Sequence, residues 1–173
     1  MSFEELMNKM KEKRSRSLKY TTKDLAALSD NDLYEAAFDR TEHKVENFNN
    51  YEDCLKLLNP AQLVFFSVWS LEMEVNNGGL CQFFVNSSYI FAPIVSKNME
   101  IIGAFEHKKL YDDFIKKYNI DVTDLSFFDI NDTSEFEEKV RAYPFDEYDE
   151  AFYELEPLES FLTKYVRAHP DDF

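Results

Sequence analysis

The chain has 173 residues, 34 acidic against 19 basic, and a formal net charge of −15. Leu, Ile, Val and Phe number 49, so the acidity does not signal disorder, and a domain of this length removes roughly 70% of its extended-chain surface from water. A surface this negative repels nucleic-acid phosphates and anionic membranes except through a local basic patch, so cationic proteins are the expected partners, with no direct nucleic-acid or membrane contact.

Cys54 and Cys81 form neither a CxxC pair nor a zinc pattern, which fits a reduced cytoplasm. The N-terminus lacks the apolar core of a secretory signal, and the run Leu63 to Leu71, interrupted by Ser67 and Ser70, is too short to span a bilayer. A soluble cytoplasmic protein is expected.

Only three glycines and five prolines punctuate the chain, fewer than many short strands would need, so an all-α domain is expected, compact and built around one apolar helix. Ser2 and Glu5 have capping-box spacing for a first amphipathic helix. Residues 9 to 23 carry seven Lys or Arg and end in a polar connector around Ser15 to Thr22. Residues 1–22 thus read as a loosely attached basic arm, and 23–173 as the domain proper. Ser29 or Asp30 can cap a helix running to about Val45, with Leu33, Ala37 and Thr41 on one stripe. Asn47 to Tyr51 breaks that pattern.

Asn59-Pro60 is a strong start signal, an N-cap candidate followed by proline where its missing N–H is harmless. The run from Leu63 to Val75 is apolar almost all round, as suits the centre of a domain. Asn76-Asn77-Gly78-Gly79 should stop it, the glycines permitting left-handed backbone and the Asn amides serving orphan backbone groups. A short helix from Leu80 to Asn86 follows, then one from about residue 90 to Ile102 closed by Gly103. Ala104 to Tyr118 supplies another, with Phe105, Leu110, Phe114, Ile115 and Tyr118 as its apolar contacts.

Residues 121 to 173 hold 16 acidic and 4 basic side chains, whereas the first 120 are nearly balanced with 18 and 15. Aromatic residues continue through the acidic part, so it reads as a charged face of the same domain. In the helix expected after Pro144, Phe145, Tyr148, Ala151, Phe152 and Leu155 form a buried stripe, leaving Asp146, Glu147, Asp149, Glu150 and Glu154 outward. Asp146, Glu150 and Glu154 stand at i, i+4, i+8, about 6 Å apart along the helix. That approximates the roughly 6–7 Å between successive phosphates of a DNA strand. A solvated acidic face that maintains solubility has the same pattern.

Catalytic signatures are otherwise missing from the sequence. His43, His107 and His169 are isolated and suit surface or capping roles, no nucleophile motif surrounds Ser or Cys, and no metal or cofactor is expected. Glu72 and Glu74 point to different sides of their helix and make no acid/base pair. Glu74 could approach the N-terminus of the following helix, and Gln82 and Asn86, four apart, could line a small polar pocket.

The stretch from Leu71 to Ser88, with Glu74, Asn76-Asn77-Gly78-Gly79, Gln82-Phe83-Phe84 and Asn86-Ser87, resembles the bacterial DNA-mimic protein domain. The similarity extends from about Leu25 to Phe173, including Phe145 to Tyr153 and a closing helix with Tyr165-Val166-Arg167, and leaves out the arm before Lys23. Leu80 stands where many relatives are expected to carry an aromatic residue, which bears on core packing. The resemblance implies an all-helical fold, homodimerisation, no enzymatic activity and an acidic surface that occupies the DNA-binding face of a basic transcription regulator or other DNA-binding protein. Two other functions fit the sequence: a different acidic interaction protein, for instance an immunity-like inhibitor of a basic toxin or nuclease, and a small-molecule-binding or enzymatic domain centred on Glu74, Asn77, Gln82 and Asn86.

Overall fold

Side-chain caps start five of the helices in the computed structural model, which describes residues 2–46 and 54–173. Helix α1 (Phe3–Ser17) begins at a capping box in which Ser2 Oγ accepts from the Glu5 N–H and the Glu5 carboxylate accepts from the Ser2 N–H at 2.7 Å. Helix α2 (Thr22–Ala27) starts on an equivalent box of Thr21 and Asp24 inside the stretch expected to be a polar connector. Ser29 caps α3 (Asp30–Val45), whose Leu33, Ala37 and Thr41 are buried as the stripe requires. Lys13 of α1 pairs with Asp32 and Glu35, and Arg14 with Glu42 and Glu46, so α1 lies across α3. The break expected at Asn47 to Tyr51 falls outside the described residues.

The short α4 (Cys54–Leu57) precedes α5 (Pro60–Val85), which is capped by Asn59 and carries proline in its first turn. Its first stretch is buried almost all round, and Phe65, Val68, Leu71 and Val75 have no exposed surface. The backbone leaves the helical region at Gly78 (φ −160°, ψ 23°) and Gly79 (φ 80°, ψ 176°). Two helical pieces therefore meet at a kink, with the second formed by Leu80 to Val85. A 3-10 turn (Ser87–Phe91) leads into α6 (Ala92–Ile101), where Pro93 occupies the first turn, and Gly103 takes φ 82° behind it.

Helix α7 (Phe105–Tyr118) buries His107, Tyr111 and Phe114. Two expectations fail here. Phe105 points to solvent, 63% exposed, and His107 is in the core, because residues 107, 111 and 114 share one helical arc while 105 lies opposite it. After a 3-10 turn (Ser126–Phe128) come α8 (Thr133–Ala142), α9 (Phe145–Tyr153), α10 (Leu158–Ala168) and a last 3-10 turn (Pro170–Asp172). No strand occurs among the described residues, and α5 touches α3, α6, α8, α9 and α10, so the fold is all-α around this central helix.

The aromatic stripe of α9 anchors the acidic part of the chain. Phe145 lies 5.4 Å from Phe114 and 6.2 Å from both Phe84 and Phe128, ring centre to ring centre, and Tyr148 lies 5.4 Å from Phe114. Such pairs add about 0.5–1.5 kcal/mol beyond the area they bury. That burial holds α9 in one orientation, with Asp146, Glu147 and Glu150 on the other side.

Candidate protein-interaction face

Four of the five carboxylates expected to face outward on α9 do so. Asp146, Glu147, Glu150 and Glu154 are exposed, and the first two sit in the first turn, where the helix dipole favours negative charge. The helix ends at Tyr153 with Glu154 as its C-cap in helical geometry, so the i, i+4, i+8 row reaches its last member at the cap. Glu147 has a distant ion pair, 3.8 Å from Lys117, between two exposed side chains, a contact worth little in water. Tyr153, which the sequence did not single out, belongs to this face. It is 53% exposed, its hydroxyl donates to the Val75 carbonyl at 2.7 Å, and it lines a shallow hollow with Glu147, Glu150, Ala151 and Glu154.

Asp149 corrects the expectation for the fifth position. Its carboxylate turns inward and accepts from the Leu80 N–H at 2.8 Å, capping the second piece of α5. Burial lifts its pKa from the usual carboxylate range to about 6, with Asp146 adding to the rise and the Leu80 N–H opposing it. Angular position explains this: Asp149 lies four residues after Phe145, about 40° round the helix from it, and so borders the aromatic stripe on the side that faces the kink. Its inward turn needs Gly79. A Cβ there would overlap the Asp149 carboxylate, and the φ of 80° is one that side chains rarely adopt.

The polar residues around the glycines form a hydrogen-bonded hub. Glu74 accepts from Gln82 Nε2 at 2.6 Å and from Asn86 Nδ2 at 2.8 Å on one oxygen, and from Ser88 Oγ at 2.8 Å on the other. One carboxylate thus ties the first piece of α5 to the second and to the 3-10 turn beyond. Gly78 gives Gln82 its room, since a Cβ at 78 would overlap the Gln82 amide. Asn76 and Asn77 are exposed and have no side-chain hydrogen bond among the described residues, so the capping expected of them is done by Asp149 instead.

Glu72 points the other way, as its two-residue offset from Glu74 dictates. It is 8% exposed and accepts from the Glu159 N–H at 3.4 Å at the start of α10. Burial raises its pKa to about 7, Glu159 contributes to the rise, and the backbone N–H groups of Leu158 and Glu159 oppose it. The histidines stay apart. His43 meets Glu46 on the surface and His169 caps α10, while His107 is buried between Phe152 and Phe161 and held down to about pKa 4 by burial. Burial pushes the Cys81 thiol up to about 12, the opposite of what a nucleophile needs. No group of three or more His, Cys, Asp or Glu side chains is placed to hold a metal ion among the described residues.

The family model described as DMP19-like protein matches residues 56–169, which include the Glu74 hub, the glycine kink and all of α9. The chain belongs to that family. The DMP19-like match leaves α1, α2 and α3 outside it. No curated protein and no solved structure matches the chain. Among the described residues no single helix is long and apolar enough to cross a membrane, and the bent pair Pro60–Val85 with Ser87–Ile101 that matches such a span in length and composition is largely core.

Proposed function

We propose that the chain is a non-enzymatic DNA mimic that competes with DNA for the binding surface of a basic transcription regulator or other DNA-binding protein. The carrying observation is the outer face of α9, where Asp146, Glu147, Glu150 and Glu154 stand exposed on a helix locked by its aromatic stripe. Membership of the DMP19-like family, which the resemblance connects with DNA mimicry, and the acidic surplus after residue 120 support the same reading. Asp149 is removed from the contact set by its inward bond, and Tyr153 joins it as an aromatic neighbour of the kind that anchors protein interfaces. The saturated Glu74 hub counts against a small-molecule site there, since both carboxylate oxygens already accept from protein donors and Asn77 lies outside the cluster.

Capture of a cationic partner from the native cell should weaken steeply with salt and be reversed by duplex DNA. Replacing Asp146, Glu150 and Glu154 with their amides should abolish capture while leaving the helical circular dichroism unchanged. Capture that survives the triple amide variant removes the proposal. Capture that DNA does not compete for transfers the same face to an immunity-like inhibitor.

A further inference from the structure

The side chains of Asn76 and Asn77 do no bonding work inside the fold. Both residues keep helical backbone, since the break falls at Gly78 and Gly79, and Asn is among the poorer helix formers. Their amides are exposed and have no hydrogen-bond partner among the described residues, the cap of the second piece of α5 being Asp149. Met73, 49% exposed, stands three and four residues before them, so the three side chains share one face of α5.

This face adjoins the acidic one. The exposed residues 76–78 lie between Val75, whose carbonyl accepts from the Tyr153 hydroxyl, and Leu80, whose N–H donates to Asp149. On α9, Asp146 and Glu150 stand three residues before Asp149 and Tyr153 and are the next exposed positions round the helix. The surface therefore runs from the amides across Tyr153 to the carboxylates.

We propose that Asn76 and Asn77, with Met73 beside them, stand in for base edges where the carboxylates of α9 stand in for phosphates, so that the partner is a protein that reads sequence in the major groove. A primary amide offers one acceptor and one donor side by side, the pair that adenine presents there through N7 and its N6 amino group. An Asn or Gln of the partner that pairs with adenine finds the same two bonds on such an amide, and Met73 gives the apolar contact that a thymine methyl gives. A protein that holds DNA through phosphates and shape alone has no use for the amides. These contacts rest on the mimicry reading of α9, and they narrow the partner from any cationic DNA-binding protein to one that reads bases.

The experiment titrates the full chain against the DNA-binding protein purified after capture from the native cell, between about 50 and 200 mM salt. Asn76→Ala with Asn77→Ala should weaken binding roughly tenfold at every salt concentration, because neutral contacts release no counterions. Its unfolding midpoint in urea should stay at or above that of the wild type, since Ala is the better helix former at both positions. Glu150→Gln should instead flatten the dependence of affinity on salt. Against a partner whose base-reading Asn or Gln is replaced by Ala, the double Asn variant and the wild type should bind alike. A loss that fades as salt rises, a lowered unfolding midpoint, a difference that survives in the altered partner, or a partner that binds all duplexes equally would each overturn the base-edge role. Unchanged binding of the double Asn variant, with loss in the triple amide variant of α9, overturns that role alone. Binding that survives both variants removes the mimicry reading as well.

Discussion

Placing a methyl group on Gly79 tests the join between the kink of α5 and the acidic helix. The backbone there, φ 80° and ψ 176°, lies in a region that is essentially glycine-only and costs other residues roughly 1–3 kcal/mol. The new Cβ also overlaps the Asp149 carboxylate and displaces it from the Leu80 N–H, and losing a helix cap costs about 0.5–2 kcal/mol. Gly79→Ala should therefore lose about 2–5 kcal/mol in urea unfolding followed by circular dichroism. In an Asp149→Ala background the overlap and the cap are already gone, so the same substitution should cost only the backbone part, about 1–3 kcal/mol. Equal losses in both backgrounds would refute the packing of Asp149 against Gly79.

Two further expectations concern the hydrogen-bonded carboxylates of α5. The folded pKa of Glu72, about 7, lies above its ordinary value, so the folded chain holds this proton more tightly than the unfolded one. The stabilisation is full below about pH 4.5 and is lost as pH rises through 7, a swing of roughly 3 kcal/mol. Glu72→Gln should gain stability relative to wild type between pH 5 and pH 8, and a difference between the two that does not change with pH would contradict this. Glu74→Gln presents an amide donor to a hub built entirely of donors, so unfolding in urea should show a loss of about 1–3 kcal/mol, and an unchanged midpoint would mean the hub does not hold the kink.

Signals confined to a few neighbouring residues were legible. Ser2 with Glu5, Ser29, Asn59-Pro60 and Gly78-Gly79 each mark a boundary because the capping atom and the group it serves lie within one turn. The box of Thr21 and Asp24 carries the same kind of signal, but Thr21 ends the polar run Ser15 to Thr22, whose composition reads as a connector. Side-chain type misled where angle should have ruled. The ring of Phe105 argues for the core and the charge of Asp149 for the surface, whereas Phe105 lies opposite the buried arc of its helix and Asp149 borders the arc of its own. The Glu74 hub was half legible: the Gln82 and Asn86 spacing is local, but their shared acceptor lies across the bend. The bond from Asp149 to Leu80 joins positions 69 residues apart, which pattern within either segment cannot show.

The nine residues of α9 thus divide their labour by angle: Phe145, Tyr148 and Phe152 inward, Asp149 toward the kink, the remaining carboxylates and Tyr153 toward solvent. Because the kink fixes the rotation of α9 from one side and the aromatic cluster fixes it from below, the pitch of the acidic row is set when the chain folds. A cationic partner would meet charges that are already aligned, and the entropy of arranging them would not count against the encounter.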